Sequence, residues 1–257
     1  MKQIVVVLLA NVLLASCTNA RVNNDDDELF DSHKWGKVIR QEVVVSDFTS
    51  IDLSEDFDVV YRQSDEPSVV IEGNEKVVAF HHVEVVDGAL VDHKLPDAPR
   101  RMPTVRLVVA SPMLKTIKLS GAGDIDIKEK VTFASLNIEL SGSGDIDVED
   151  MECGAISAVV SGSGDMKIDN ALCTDDVSFV LSGSGDINAD VSCPKLSIET
   201  SGAGDADLTV VCNVIDATAV GTGNLKLEGT ADVLNRKERG LASIETKKLT
   251  VGKINLK

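Results

Sequence analysis

From residue 131 onward, apolar and polar side chains alternate with a period of two, in short bursts separated by glycine-rich turns. Leu136, Ile138 and Leu140 point one way while Asn137 and Glu139 point the other. After the next turn, Ile146 and Val148 alternate with Asp145 and Asp147. The rhythm returns in Ile156/Ala158/Val160, Val177/Phe179/Leu181 and Leu196/Ile198/Thr200. A period of two with one apolar side predicts β-strands that bury one face. No stretch between these strands is long and periodic enough for a helix.

The turns are themselves a repeat. Ser120-Gly-Ala-Gly-Asp-Ile-Asp-Ile recurs from Ser141, Ser161, Ser182 and Ser201, then in a worn copy from Val220, with starts 21, 20, 21, 19 and 19 residues apart. A degenerate copy, Arg239-Gly-Leu-Ala-Ser-Ile, lies 19 residues further on. About twenty residues with two or three short strands close one coil, and identical coils stack as parallel strands. The predicted class is therefore all-β, a parallel β-helix or β-solenoid with about 20-residue coils over 120–257. Seven coils at ~4.8 Å give a rod of roughly 34 Å.

A more irregular β region precedes it over 43–119. It holds strand-like runs at 48–61, 68–75, 83–91 and 105–110, an Asp87-Gly88 hairpin turn, and a loop marked by Pro96, Pro99 and Pro103. Leu53-Ser54 and Phe57-Asp58-Val59 align with Leu140-Ser141 and Ile146-Asp147-Val148 if the glycine turn is shortened there.

In the repeated turn, glycine at two positions is expected to supply positive φ at the corner. The Asp after the second Gly can bond backbone amides of the turn. Stacking puts Asp124, Asp145, Asp165, Asp186 and Asp205 in one column, where carboxylates about 5 Å apart repel unless water screens or a cation bridges them. Calcium is the functional reading, since hard oxygen ligands in glycine-rich turns bind it in other β-rolls. Those use a nine-residue period that is absent here, Asn224 ends the Asp row, and Lys167 and Lys226 interrupt the neighbouring acidic row. The preferred reading is a solvated structural turn with no cofactor.

Cys153, Cys173, Cys193 and Cys212 are spaced 20, 20 and 19 residues apart and so share another column. Adjacent coils bring Cα atoms within disulfide range. Bridges 153–173 with 193–212, or 173–193, compete with an inward ladder of thiols packing as small apolar residues. In-line spacing without interleaved histidine disfavours a metal site. His81 and His82, being adjacent, face opposite sides of a strand, which points to surface positions.

Residues 1–16 read as a signal peptide ending in Leu14-Ala15-Ser16-Cys17, which resembles the bacterial lipobox in which the Cys is diacylated. Acyl chains on Cys17 would anchor the chain without a membrane-spanning helix. Residues 17–42 then form a tether carrying Asp25-Asp26-Asp27-Glu28, whose acidity resembles surface-export signals of Bacteroidetes lipoproteins. The expected location is the cell envelope, in the outer membrane, facing periplasm or exterior.

The net charge of −17 excludes a nucleic-acid partner, which requires a basic footprint. Aromatics are 3% of the chain, with Trp35 and Tyr61 outside the repeats, so sugar-stacking platforms of polysaccharide-degrading β-helices are missing from the coils. Residues 236–257 hold Arg236, Lys237, Arg239, Lys247, Lys248, Lys253 and Lys257 against Glu238 and Glu245. This basic tip either discourages edge pairing between copies or recognises an anionic glycan or acidic partner, edge protection being the preferred reading.

From Phe48 to the C-terminus the chain resembles the head-GIN domain family, exported Bacteroidetes proteins described as candidate auto-transporter adhesins. The resemblance rests on Phe48, Ile51 and Leu53, on Ser68 to Gly73, and on the Ser-Gly-x-Gly-Asp series. It implies a β-helical ectodomain and supplies no catalytic residues. The expectation is a non-enzymatic adhesion or scaffold lipoprotein, meeting membrane through its lipid and a glycan or surface protein through its body. The alternatives are a polysaccharide-binding or polysaccharide-degrading β-helix and a calcium-stabilised structural module.

Overall fold

The computed structural model describes residues 32–256. The repeats form a three-sided β-solenoid whose coils stack in parallel. One side is the strand before each turn, running in register through Ser50–Leu53, Thr116–Leu119, 137–140, 156–160, 177–181 and on to 254–256. A second side is the strand after each turn, from Phe57–Gln63 through Ile125–Ile127 and Ile146–Val148 to 243–245. The third carries 131–133, 151–153, 171–173 and their successors. Alternation buries Leu136, Ile138 and Leu140 and their column mates in one core that runs from Trp35 to Leu249. A buried Val, Leu or Ile contributes about 1.5–3 kcal/mol, and these columns supply the main driving force for stacking.

Sequence order and spatial order part at the N-terminal end. Ser50–Leu53 lies between Ala89–Lys94 and Thr116–Leu119, and Phe57–Gln63 between Val105–Ser111 and Ile125–Ile127. The first coil in sequence is thus sandwiched beneath one formed later. Antiparallel strands close this end: Ser68–Asn74 covers Val105–Ser111 and is covered by Val38–Val43, while His81–Val86 covers Ala89–Lys94. The hairpin between the last two turns at Asp87 (φ 50°) and Gly88 (φ 78°), as the Asp-Gly pair predicts.

Two turn expectations need correction. Residues 54–59 do not form a shortened turn: Leu53 aligns with Leu119 and Val59 with Ile125, so Ser54-Glu-Asp-Phe-Asp58 matches Ser120-Gly-Ala-Gly-Asp124 one for one. Positive φ also fails to explain the repeated glycines, because none from Gly121 to Gly204 has it. A Cβ on Gly142, Gly144, Gly162 or Gly164 would instead collide with the carbonyl oxygen of the glycine one coil earlier. Backbone rests on backbone at the corner, and the missing side chain permits it. The collision always involves the preceding coil, so the first coil is exempt. Phe57 occupies a glycine position there and turns its ring edge-on to His81, 4.7 Å between centroids.

The ends of the inward column are polar. Asp92, aligned beyond Leu53 and 4% exposed, accepts the amides of Ser54 (2.7 Å) and Glu55 (2.8 Å). Eight positions along the same column, Asp92-Leu53-Leu119-Leu140-Val160-Leu181-Thr200-Ala219-Glu238, the exposed Glu238 carboxylate accepts the amide of Ile244. Glu238 also pairs with Arg236 at 2.6 Å. Arg236, expected in the basic tip, therefore sits half-buried in an inward column next to Leu234.

If corner contact dictates glycine, Gly164→Ala should cost about 3 kcal/mol or more of unfolding free energy, read from the urea midpoint. Ser163→Ala, one residue away and exposed, should cost less than about 0.5 kcal/mol. Equal effects would remove the steric explanation.

Candidate functional site

Three side-chain ladders bear on chemistry: the corner carboxylates, the inward thiols, and the outer face of the post-turn side. At each corner, the amide of the turn Asp meets no main-chain acceptor. Asp124 Oδ1 accepts from the amide of Asp145 (2.9 Å), Asp145 from that of Asp165 (2.8 Å), Asp165 from Asp186 (2.7 Å) and Asp186 from Asp205 (2.7 Å). The bonds run to the next coil, whereas sequence reasoning placed them within the turn. Asn224 continues the ladder through its amide to Asp205 (2.6 Å), and Ser243 closes it through its hydroxyl to Asn224 (2.8 Å). Asp58, hidden by its non-glycine turn, is the first member. Burial and the neighbouring Asp124 charge raise its carboxyl above the usual range, while its bond from the Asp124 amide opposes them.

Each carboxylate thus has an amide partner that partly offsets repulsion along the column. Among the described residues, no group of three or more His, Cys, Asp or Glu gathers as a metal site.

Cys153, Cys173, Cys193 and Cys212 share an inward column and are buried free thiols. The sulfurs of Cys153 and Cys173 share a hydrogen bond at 2.9 Å. Burial pushes the thiols of Cys193 and Cys212 up to about 12 and about 11, respectively. Cys17 lies outside the described residues, and no described helix is long and apolar enough to cross a membrane.

The histidines divide. His82 and His93 flank Glu84 on the exposed hairpin face, at 3.8 and 3.5 Å. His81 is not the surface residue expected: it lies half-buried against Phe57, and burial, then Lys94, lowers its pKa to about 4.

Sequence reasoning missed an open groove of about 210 Å³ on the outer face after the turns. Register places Lys167, Asn188, Asp207 and Lys226 in one row and Asp190, Thr209 and Glu228 in the next. Its walls are ion pairs: Lys167 with Asp169 at 2.8 Å, and Lys226 with Glu228 at 2.9 Å and Asp207 at 3.6 Å. These contacts hold both ammonium groups above the usual lysine range. Its floor is Asn188, Asp190 and Thr209, exposed side chains without a hydrogen-bond partner among the described residues. The signal was present, because Lys167 and Lys226 are the residues that break the acidic row. Short polar side chains between two braced lysines leave amide, carboxylate and hydroxyl groups free to donate to and accept from a ligand.

A family model described as "Putative auto-transporter adhesin, head GIN domain" matches residues 47–192 and 182–257. Among solved structures, a "putative adhesin" from Bacteroides fragilis is similar at TM-score 0.76 and 25% identity, over 85% of this chain and 97% of that one. A "putative adhesin" from Parabacteroides distasonis follows at TM-score 0.65 and 21% identity, covering 81% and 97%. A "putative lipid binding protein" from the same organism has TM-score 0.58 and 19% identity, covering 86% and 97%. The last two share the fold. No curated protein matches the chain.

The amide bond to Asp165 predicts that Asp165→Ala lowers unfolding free energy by about 1 kcal/mol and Asp165→Asn by less, since an amide oxygen still accepts. Chemical denaturation of both variants measures this, and equal losses would show that accepting the bond is not the role of Asp165.

Proposed function

The chain belongs to the head GIN domain family, and on that premise we propose that it is a lipid-anchored, non-catalytic adhesion module of the cell envelope. Acylated Cys17 holds it on the outer membrane, and the solenoid carries its recognition surface away from that anchor. The groove floored by Asn188, Asp190 and Thr209 is the observation that carries this reading. It lies in coils toward the C-terminal end, whereas the chain leaves toward Cys17 from the antiparallel cap at the other end.

Four carboxylates (Asp169, Asp190, Asp207, Glu228) face two ammonium groups (Lys167, Lys226) around the groove. This balance disfavours anionic ligands, and the unpartnered floor suits a hydroxyl-rich one such as a neutral glycan. Recognition of this kind needs hydrogen bonds and no acid–base step.

Two measurements test it. Fatty-acid labelling of growing cells should mark the wild-type chain and leave Cys17→Ser unmarked. The Cys17→Ser protein should bind members of a glycan and host-matrix array equally with calcium and with chelator. Asp190→Ala should weaken that binding about tenfold, or about 1.4 kcal/mol, at unchanged Tm. Absence of binding under both conditions would overturn the adhesion reading, and binding restricted to calcium would favour a cation in the Asp column.

A further inference from the structure

Four cysteines share one inward column, yet they are not equivalent. Cys153 and Cys173 are in-register parallel neighbours whose sulfurs are in direct contact at 2.9 Å. Cys193 and Cys212 are also register partners, without a hydrogen bond between their sulfurs. In-register parallel strands separate Cα atoms by about 4.8 Å, inside the range that a disulfide accepts, so closing a bond of about 2.05 Å requires the two sulfurs to approach by less than about 1 Å.

The backbone around this pair can yield. Direct pairing between Met151–Val160 and Met166–Cys173 covers only residues 151–153 with 171–173. The pairing of Met166–Cys173 with the following coil is irregular between Ile168 and Ala171. Gly154 follows Cys153, and Cys173 ends its strand. The strands bearing Cys193 and Cys212 pair over long, regular stretches instead.

We propose that Cys153 and Cys173 form a redox pair that closes to a disulfide in an oxidising compartment and staples two adjacent coils, while Cys193 and Cys212 stay thiols. Closure in the cell rests on the export reading; the chemistry of the pair does not. The oxidant is a disulfide-bearing thiol reagent or thiol oxidase. The Cys153 thiolate attacks one sulfur of that disulfide, forming a mixed disulfide and releasing one thiolate. Cys173, its proton passed to solvent, then attacks Cys153 Sγ and releases the second. The two cysteines lose two protons and two electrons, and the oxidant becomes two thiols.

The electrostatics agree with this division of labour. The hydrogen bond from Cys173 lowers the pKa of Cys153, whereas burial pushes those of Cys193 and Cys212 up. Cys173 is itself raised, first by its hydrogen bond with Cys153, then by burial and by the Cys153 charge. Capping Cys153 as a mixed disulfide removes that charge and prepares the second step.

The test uses the Cys17→Ser chain, refolded from urea in oxidised and reduced glutathione so that burial does not bar the reagent. Thiols are then alkylated in denaturant and the protein is weighed and peptide-mapped. The expected result is two alkylated cysteines, a 153–173 cross-linked peptide, and four alkylated cysteines after reduction. Oxidation should raise Tm by roughly 6–12 °C, and Cys173→Ser should abolish the rise. Four free thiols after oxidising refolding, or a bridge that includes Cys193 or Cys212, would overturn the proposal. The thiol count and map of the Cys17→Ser chain decide this even if its Cys173→Ser derivative fails to fold. Protein taken from cells under acid quench separates the two readings: thiols that are free in cells but bridge in vitro uphold the pair and contradict export.

Discussion

The corner where one coil's backbone lies on the next is the constraint from which the rest of the solenoid follows. Two demands meet there. The chain must approach itself too closely for a Cβ, which selects the two glycines. The amide of the turn Asp then lacks a main-chain acceptor, and the carboxylate one coil earlier supplies it. These corners are exposed, so each bond is worth about 1 kcal/mol, and repeating it at every coil keeps the corner in register. Register at the corner aligns every column behind it, including the apolar core and the four thiols.

The same constraint explains where the motif wears out. Glycine is demanded by the preceding coil, so the first turn can carry Glu55, Asp56 and Phe57 and use the space beneath for an aromatic contact with His81. At the other end, a Cβ on Gly240 would meet its nearest neighbour, the Gly221 oxygen, at 3.1 Å, and the next positions of that turn are Leu241 and Ala242. Asp92 is a separate device: buried beside Leu53, its carboxylate accepts the amides of Ser54 and Glu55 at that end of the column.

Much of this was legible in the sequence. The twenty-residue spacing and the period-two alternation predict the parallel coils, the inward faces and the common column of Cys153, Cys173, Cys193 and Cys212. The rest was hidden for physical reasons. Spatial order need not follow chain order, so the insertion of 50–63 between later strands leaves no local trace. The match of Ser54 to Asp58 with Ser120 to Asp124 was masked because the relaxed first corner no longer needs glycine. Asp92 reads as one more acidic residue until its strand is laid beside Leu53. The groove depends on which way Lys167 and Lys226 fold, and periodicity reports only that they face outward.

The described chain leaves toward its N-terminus at one end of the solenoid, and the polar groove lies in the coils toward the other. The central claim is that side-chain carboxylates complete the ladder at the corners, and residue-resolved amide hydrogen exchange tests it most directly. The amides of Asp145, Asp165, Asp186 and Asp205 should be protected to the level of neighbouring strand amides, and Asp145→Ala should strip protection selectively from Asp165. Exchange of these corner amides at the rate of free peptide in the native protein would contradict it.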